Sequence, residues 1–112
     1  MIEKRKFRRI DRNYVVSYTA ISSSDSKFDL SQTKDVSEGG LLFIADRKFE
    51  KGTVLKIKLR LPEFLDYVIV KVEVLGSALT GKTRSSYETR ARFVEIDQKV
   101  KEAIKKQADY YA

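Results

Sequence analysis

Val54-Leu55-Lys56-Ile57-Lys58-Leu59-Arg60-Leu61 is the stretch whose pattern decides the class of fold. Every second residue from Leu55 onward is aliphatic, and the residues between are basic. Because successive side chains of a strand point to opposite faces, this alternation predicts a strand with one face in a core and the other in water. Pro62 ends the segment, since proline cannot donate a hydrogen bond to a strand ladder.

Five further segments around this one have a strand pattern or composition. Residues 67–75 place valines on one side, and their β-branched content favours strand over helix. In the weakest pattern, Phe28 and Leu30 are predicted to face inward. Residues 22–26 and 76–86 have the composition of loops. The six predicted strands are Asn13–Ile21, Phe28–Lys34, Leu41–Ala45, Val54–Leu61, Tyr67–Leu75 and Tyr87–Phe93.

The last segment changes to a helical period. Asp97 has the side chain of an N-cap, and the basic residues after it fall on a solvent face. We expect the helix to pack on the open end of a barrel; docking of a partner through Tyr110-Tyr111 is the alternative. Its apolar residues at helical spacing are Val100, Ala103, Ile104, Ala108 and Tyr111. Six short strands and one terminal helix predict a mainly β fold, a small six-stranded antiparallel barrel with a C-terminal α-helix.

Composition limits what such a domain does. Its 112 residues suffice for one domain with a single core. The chain contains no cysteine and no histidine, which removes thiol chemistry and the commonest general base and metal ligand. Because no paired carboxylates stand in for them, we expect no enzyme, no metal site and no cofactor. The charged N-terminus, the absence of a long apolar run and the lack of cysteine predict a cytoplasmic protein without a signal peptide or membrane span.

Positive charge is concentrated at the N-terminus. The net charge is +7, and the first twelve residues hold six basic side chains against Glu3 and Asp11, a surplus of four. A basic balance favours anionic partners. A solvated tail is the usual state of such a run, but Phe7 and Ile10 interrupt it as apolar anchors. A free tail and an arm pinned to the domain therefore both remain open.

Asp35-Val36-Ser37-Glu38-Gly39-Gly40 joins the second and third predicted strands. Asp and Ser bond their own backbone in turns, and glycine adopts positive φ, so the segment alone is typical of an ordinary turn. The same residues also present an acidic acceptor beside accessible backbone.

An Arg5-x-x-x-Arg9 spacing, followed by Asp35-x-Ser37-x-x-Gly40 and a run of barrel strands, resembles the PilZ domain, the bacterial receptor module for cyclic di-GMP. The arginine spacing alone is barely informative in so basic a segment, and the second element is moderately specific; their order ahead of the barrel makes a strong joint signal. The resemblance runs from Arg5 to the C-terminal helix. It implies one domain made of a basic arm at 1–12, a barrel at 13–96 and a helix at 97–112.

The resemblance also implies a binding site for cyclic di-GMP. Family members often carry a small residue where Arg90 lies, so this side chain reaches either the ligand or solvent, and strand alternation favours solvent. The residues implied at the site are Arg5, Arg9, Asp35, Ser37 and Gly40, with Lys4, Arg8, Gly39 and Arg90 as secondary candidates.

The chemistry of the ligand suits these residues. An arginine fork reaches O6 and N7 of guanine, and a carboxylate such as Asp35 accepts from N1–H and N2–H on the opposite edge. Ser37 adds a hydroxyl, the glycines leave room for a flat base, and Arg8 can meet a phosphate or stack on a purine. In an extended arm, arginines four residues apart lie about 13 Å from each other. The family implies instead a turn that brings both to one ligand, often a stacked dimer.

We expect a receptor whose arm folds over the ligand and whose changed surface signals to a partner protein. A PilZ-like adaptor that binds no ligand is the first alternative. A small barrel that binds single-stranded nucleic acid is the second, because the chain is basic and contains six tyrosines and six phenylalanines. Most of these aromatic residues, however, fall on strand positions predicted to face inward.

Overall fold

A computed structural model describes residues 10, 12–21, 27–80 and 86–110. Within these ranges, six antiparallel strands close into a barrel in the order β1-β2-β3-β6-β5-β4, with β4 pairing back onto β1. This confirms the predicted mainly β barrel with a C-terminal helix. The elements are β1 (Val15–Ala20), β2 (Asp29–Val36), β3 (Gly40–Ala45), β4 (Val54–Leu59), β5 (Val68–Leu79), β6 (Tyr87–Glu95) and α1 (Gln98–Tyr110).

The alternating pattern fills the interior of the barrel as predicted. Leu55 and Ile57 of β4 are fully buried and face Val72 and Val70 across the β4–β5 ladder. Burial of each such side chain contributes about 1.5–3 kcal/mol relative to leaving it in water. The ends of β1, β3, β4 and β6 lie within two residues of their predicted positions.

The helix α1 begins where the sequence predicts. The backbone N–H of Lys99 donates a hydrogen bond to Asp97 Oδ1 at 2.8 Å, which is the geometry of an N-cap. Val100, Ile104 and Ala108 belong to the same buried cluster as the interior of the barrel. Helix and barrel therefore share one core.

The inward face of β2 differs from the prediction. Leu30, predicted to face inward, is 79% exposed, whereas Thr33 and Val36 are fully buried. The β1–β2 register pairs Leu30 with the outward Ser17, which fixes the face of Leu30. Thr33 occupies an inward position because its hydroxyl is hydrogen-bonded there. Apolar character alone assigned the wrong face to this strand.

β5 continues past its predicted end. Residues 76–79, which the sequence predicts to be loop, are the last four residues of the strand. The register against β6 shifts between Val74 and Gly76, so Leu75 is the extra residue of a bulge. Beyond it the side chains are small as far as Ala78, and the Ser77 hydroxyl lies 3.0 Å from the Thr89 hydroxyl. The bulge interrupts the run of valines on which the prediction relied.

Gly40 has no space for a side chain, and this yields a test of the β3–β6 contact. A Cβ at Gly40 would overlap the carbonyl oxygen of Ala91 and lie 2.9 Å from Arg92 Cα. Because both neighbours are backbone atoms, we expect Gly40→Ala to lower the free energy of unfolding by about 1–3 kcal/mol in urea denaturation. A Cβ at Gly76 meets nothing within 4 Å, so Gly76→Ala should stay within about 0.5 kcal/mol of wild type. Equal losses in both variants would contradict the steric explanation.

Tyr18 is a buried phenol in the barrel. Its hydroxyl donates to Asp46 Oδ1 at 2.8 Å and accepts from the Asp46 backbone N–H at 3.0 Å. Burial is the main cause that raises the pKa of Tyr18 from 10.0 to about 12, with Asp46 as the nearest charged group. The phenol is thus held in its neutral form by the fold.

This pKa predicts a loss of stability at high pH. The unfolded chain releases the Tyr18 proton near pH 10 and the folded chain near pH 12, so the free energy of unfolding falls as the pH rises through that window. This difference in pKa corresponds to about 3 kcal/mol. Denaturation curves of wild type and Tyr18→Phe should therefore converge or cross between pH 10 and 12. A constant difference between the two proteins over this range would show that Tyr18 does not titrate as described.

Candidate functional site

The basic segment joins the barrel at Ile10. The Ile10 N–H donates to the Val36 carbonyl at 2.7 Å, and the Val36 N–H donates to the Ile10 carbonyl at 3.1 Å. The side chain of Ile10 is fully buried in the core cluster. Of the two interpretations that the sequence left open, the structure supports anchoring at this end of the arm.

Thr33 fastens the chain just after Ile10. Its N–H donates to the Tyr14 carbonyl at 2.8 Å, and its hydroxyl oxygen accepts from the Tyr14 N–H at 2.9 Å. The same hydroxyl donates to the Arg12 carbonyl at 2.9 Å. Thr33 and Val36 lie on both sides of Asp35 in β2, so the arm leaves the barrel beside this carboxylate.

The polar hexapeptide is part strand and part turn. Asp35, predicted in the turn, belongs to β2; the turn itself is Ser37 to Gly39. The Ser37 N–H donates to the Gly40 carbonyl at 2.8 Å, and the Gly39 N–H donates to Ser37 Oγ at 3.2 Å. The Gly39 carbonyl accepts from the Phe93 N–H at 2.9 Å, which ties the turn to β6.

The two glycines have a different role from the one first inferred for a turn. Positive φ occurs among the described residues at Gly52, with φ 94°, and not at Gly39 or Gly40. Gly40 is required by the close approach of the β6 backbone rather than by backbone conformation. Its part in the motif is therefore explained by strand packing.

A bulge turns Asp35 toward the outside of the barrel. Thr33 pairs with Phe43, the register then shifts, and Asp35 pairs with Leu42. Leu42 alternates with the buried Leu41 and Phe43, so it lies on the outer face, and directly opposed residues share a face. Asp35 is nevertheless only 7% exposed. The carboxylate is thus an outer-face group that is largely shielded from water.

One row of residues crosses four strands at the level of Asp35. Leu42 of β3 pairs with Arg90 of β6, and Arg90 pairs with Gly76 of β5. Three strand spacings make the row about 14 Å long. We call Asp35, Leu42, Arg90 and Gly76 the transverse row.

A cleft of about 370 Å³ lies along the β5 side of this row. Arg90 is half-buried at its wall and forms no ion pair within 4.0 Å with another residue in the described ranges. The space above Gly76 is open, because a Cβ there would touch nothing. The lining residues are Leu42, Leu75, Gly76, Ser77, Ala78, Glu88 and Arg90.

Neighbouring charges differ from Arg90 in this respect. Lys34 Nζ lies 3.5 Å from Glu88 Oε1, and Arg92 Nε donates to Glu73 Oε1 at 2.7 Å. Lys34 and Arg92 thus direct their N–H donors to carboxylates of the protein. The guanidinium of Arg90 is not paired in this way, so its donors can bind a ligand. From the sequence, Arg90 was expected to face either solvent or ligand, with solvent favoured. Its half-buried position beside the cleft is compatible with either assignment.

The sequence-predicted site residues divide into two groups. Asp35, Ser37, Gly39, Gly40 and Arg90 lie in or beside β2, β3 and β6 within one region of the barrel. Leu42 and Gly76 were not predicted, because the pairing that brings them into the row depends on two bulges that leave no clear pattern in the sequence. Lys4, Arg5, Arg8 and Arg9 lie outside the described residues.

The described ranges hold no group of three or more Asp, Glu, His or Cys side chains placed to bind a metal ion. No described helix is long and apolar enough to cross a membrane.

A family model described as "PilZ domain" matches residues 3–109. Among solved structures, the inhibitor of motility MotI/DgrA of Bacillus subtilis is similar with a TM-score of 0.79 and 18% identity, over 98% of this chain and 52% of that one. The K. pneumonia MrkH–c-di-GMP complex has a TM-score of 0.69 and 17% identity, over 94% and 50% of the two chains.

The PilZ domain of YcgR from Escherichia coli with c-di-GMP has a TM-score of 0.67 and 13% identity, over 97% and 91% of the two chains. The present chain thus spans about half the length of MotI/DgrA and MrkH and most of the YcgR domain. At such identities these similarities describe the fold alone. No curated protein matches the sequence significantly.

Proposed function

Because this chain belongs to the PilZ domain family, we propose that it is a receptor that binds cyclic di-GMP through the basic arm and the Asp35 turn and signals to a partner protein. PilZ domains are non-catalytic modules, and the fold is that of PilZ proteins. Two similar structures, those of MrkH and the YcgR domain, contain c-di-GMP. The net charge of +7 suits a ligand with two phosphates.

The pairing of Ile10 with Val36 is the observation that carries this proposal. Arg9 is covalently bonded to Ile10, and consecutive Cα atoms lie about 3.8 Å apart. Asp35 is likewise bonded to Val36. Two motif elements that are distant in sequence are therefore connected to the same pair of residues, so one ligand can contact both.

The proposed division of labour follows from hydrogen-bonding capacity. Asp35 accepts from N1–H and N2–H of a guanine, and its shielded position strengthens these bonds because the local dielectric is low. Arg5 and Arg9 donate to O6 and N7 or to the phosphates. Ser37, Gly39 and Gly40 shape the turn that presents Asp35, with Lys4 and Arg8 as further cations of the arm.

We expect Arg5→Ala, Arg9→Ala and Asp35→Ala each to weaken cyclic di-GMP binding by about 1–3 kcal/mol, the scale of one charge-assisted bond. Titration calorimetry measures affinity and stoichiometry together. Lys105→Ala removes an exposed cation of α1 and is the control, with no change expected. Full affinity in Asp35→Ala would remove that residue from base recognition.

Arg90 and Arg92 form a matched pair for testing the transverse row. They lie two residues apart on the outer face of β6, but Arg92 is bonded to Glu73 and Arg90 is not. If the ligand extends along the row, Arg90→Ala weakens its binding about tenfold and Arg92→Ala leaves it within about twofold, the scales of a lost charged bond and of an exposed charge that is already paired with a carboxylate. Equal affinities for the two variants would assign Arg90 to solvent.

A PilZ-like adaptor that binds no ligand is the second candidate. The Ser37 hydroxyl already serves the turn, and Gly40 already serves the β3–β6 contact, so these motif residues have reasons to be present without a ligand. No heat of binding at ligand concentrations on the order of tens of micromolar would favour this function.

Binding of single-stranded nucleic acid is disfavoured, because Tyr14, Tyr18, Phe43 and Phe49 are buried and unavailable for stacking.

A further inference from the structure

A second outer surface of the barrel, formed by β2, β1, β4 and β5, carries three exposed aliphatic side chains beside two lysines. Leu30, Ser17, Lys58 and Ile69 oppose one another in register across these four strands. Val15 lies on the same face of β1 as Ser17, two residues away. Val15, Leu30 and Ile69 are 53%, 79% and 52% exposed. We name this surface the β1–β4 face, after the two strands at its centre. Its residues are Val15, Ser17, Leu30, Lys56, Lys58 and Ile69.

Single exposed aliphatic residues are common on protein surfaces and need no explanation. Here Val15 and Leu30 lie on paired strands of one face, and Ile69 ends the cross-strand row that begins at Leu30, with Ser17 and Lys58 between them. Three exposed aliphatic side chains on one face are characteristic of interaction sites rather than of scattered single residues. The grouping of these residues on one face, rather than the exposure of any one of them, indicates an interaction site.

Positive charge lies within the cluster. Lys58 Nζ is 4.2 Å from the Phe28 ring centroid and 4.8 Å from the Tyr67 ring centroid, so the two rings hold its side chain in place. Lys56 lies on the same face of β4, two residues away. Neither ammonium group has a carboxylate within 4.0 Å in the described part of the chain. A cation–π contact leaves the charge itself uncompensated.

Other cations near this face are already paired. Arg60 NH1 lies 3.7 Å from Asp66 Oδ1, and Lys71 Nζ lies 3.5 Å from Glu95 Oε2. The charge available to a partner is therefore concentrated at Lys56 and Lys58, beside the exposed aliphatic side chains. A carboxylate of a partner would find donors there that no described carboxylate occupies.

These features select among possible occupants. A second copy docked through the same face would add two more lysines and no carboxylate, because none of the six residues of this face is acidic, and like charges in one interface are destabilising. Single-stranded nucleic acid binds largely by stacking on free aromatic faces, but Lys58 lies over the rings of Phe28 and Tyr67. The exposed residues of this face are aliphatic, so they can pack against aliphatic side chains of a partner protein.

We propose that the β1–β4 face docks a segment of a partner protein that carries both aliphatic and acidic side chains. The aliphatic side chains pack on Val15, Leu30 and Ile69, and the carboxylates pair with Lys56 and Lys58. The transverse row begins on β2 and extends the other way around the barrel, through β3 and β6. Ligand and partner can therefore occupy the domain at the same time, and the docking itself requires no ligand.

The test uses the whole chain and a short synthetic peptide that alternates leucine and glutamate. We expect the peptide to shift the amide NMR signals of Ser17, Leu30, Lys58 and Ile69, and a version with glutamine for glutamate to bind much more weakly. Lys58→Glu and Leu30→Ser should each weaken binding about tenfold, the scale of losing a principal contact. Lys105→Glu makes the same charge change on α1 and should alter affinity less than about threefold, through long-range charge only.

Other outcomes would overturn the proposal. They are shifts confined to another surface, equal effects of Lys58→Glu and Lys105→Glu, or equal binding of the glutamate and glutamine peptides. Tighter binding of an oligothymidine to this face than of the peptide would assign it to nucleic acid. Self-association that Leu30→Ser abolishes would assign it to a second copy. Dispersion of the NMR signals reports whether each variant is folded. The peptide titration needs no cyclic di-GMP, so its result does not depend on the proposed function.

Discussion

The antiparallel pair of hydrogen bonds between Ile10 and Val36 is the interaction on which the candidate site depends. Each bond contributes about 0.5–1.5 kcal/mol net, and burial of the Ile10 side chain adds about 1.5–3 kcal/mol. The root of the basic arm is thereby held beside Asp35 without help from a ligand. An attachment that is already in place lowers the entropy that binding of a ligand at this position would have to offset.

The barrel separates folding from recognition by face. Its inner face is filled by apolar residues from all six strands, with the aliphatic rows of β4 and β5 among them, and this leaves the outer face free to carry charge. Under the proposed function the turn is the exception, because the same residues would serve both purposes there. The Ser37 hydroxyl accepts a hydrogen bond within the turn and Gly40 allows the close approach of β6, so both fix the local structure next to Asp35. A short motif of this kind would specify a local structure and a binding surface together.

The sequence predicted those parts of the fold in which local pattern and tertiary environment agree. Leu55 and Ile57 alternate and are buried, and Asp97 caps the helix that follows it. It was wrong about Leu30, because hydrophobicity was taken for burial where strand register decides the face. Its assignment of Asp35 and Ser37 to a ligand site rests on the motif and stays a prediction. It could not predict the transverse row, since the pairing of Arg90 with Gly76 follows from a bulge in β5 that no local signal marks.

The bulge in β2 has a consequence for how this domain can change in evolution. Thr33 and Val36 both face the core although they are three residues apart, and the odd spacing leaves Asp35 outside. Loss of Lys34, the extra residue of the bulge, would restore strict alternation with Asp35 still outside and Val36 still in the core. A deletion elsewhere in β2 would instead move the residues between it and the bulge to the opposite face. The bulge is therefore the one place among the described residues of β2 where the strand can be shortened with the acidic group and the core both kept.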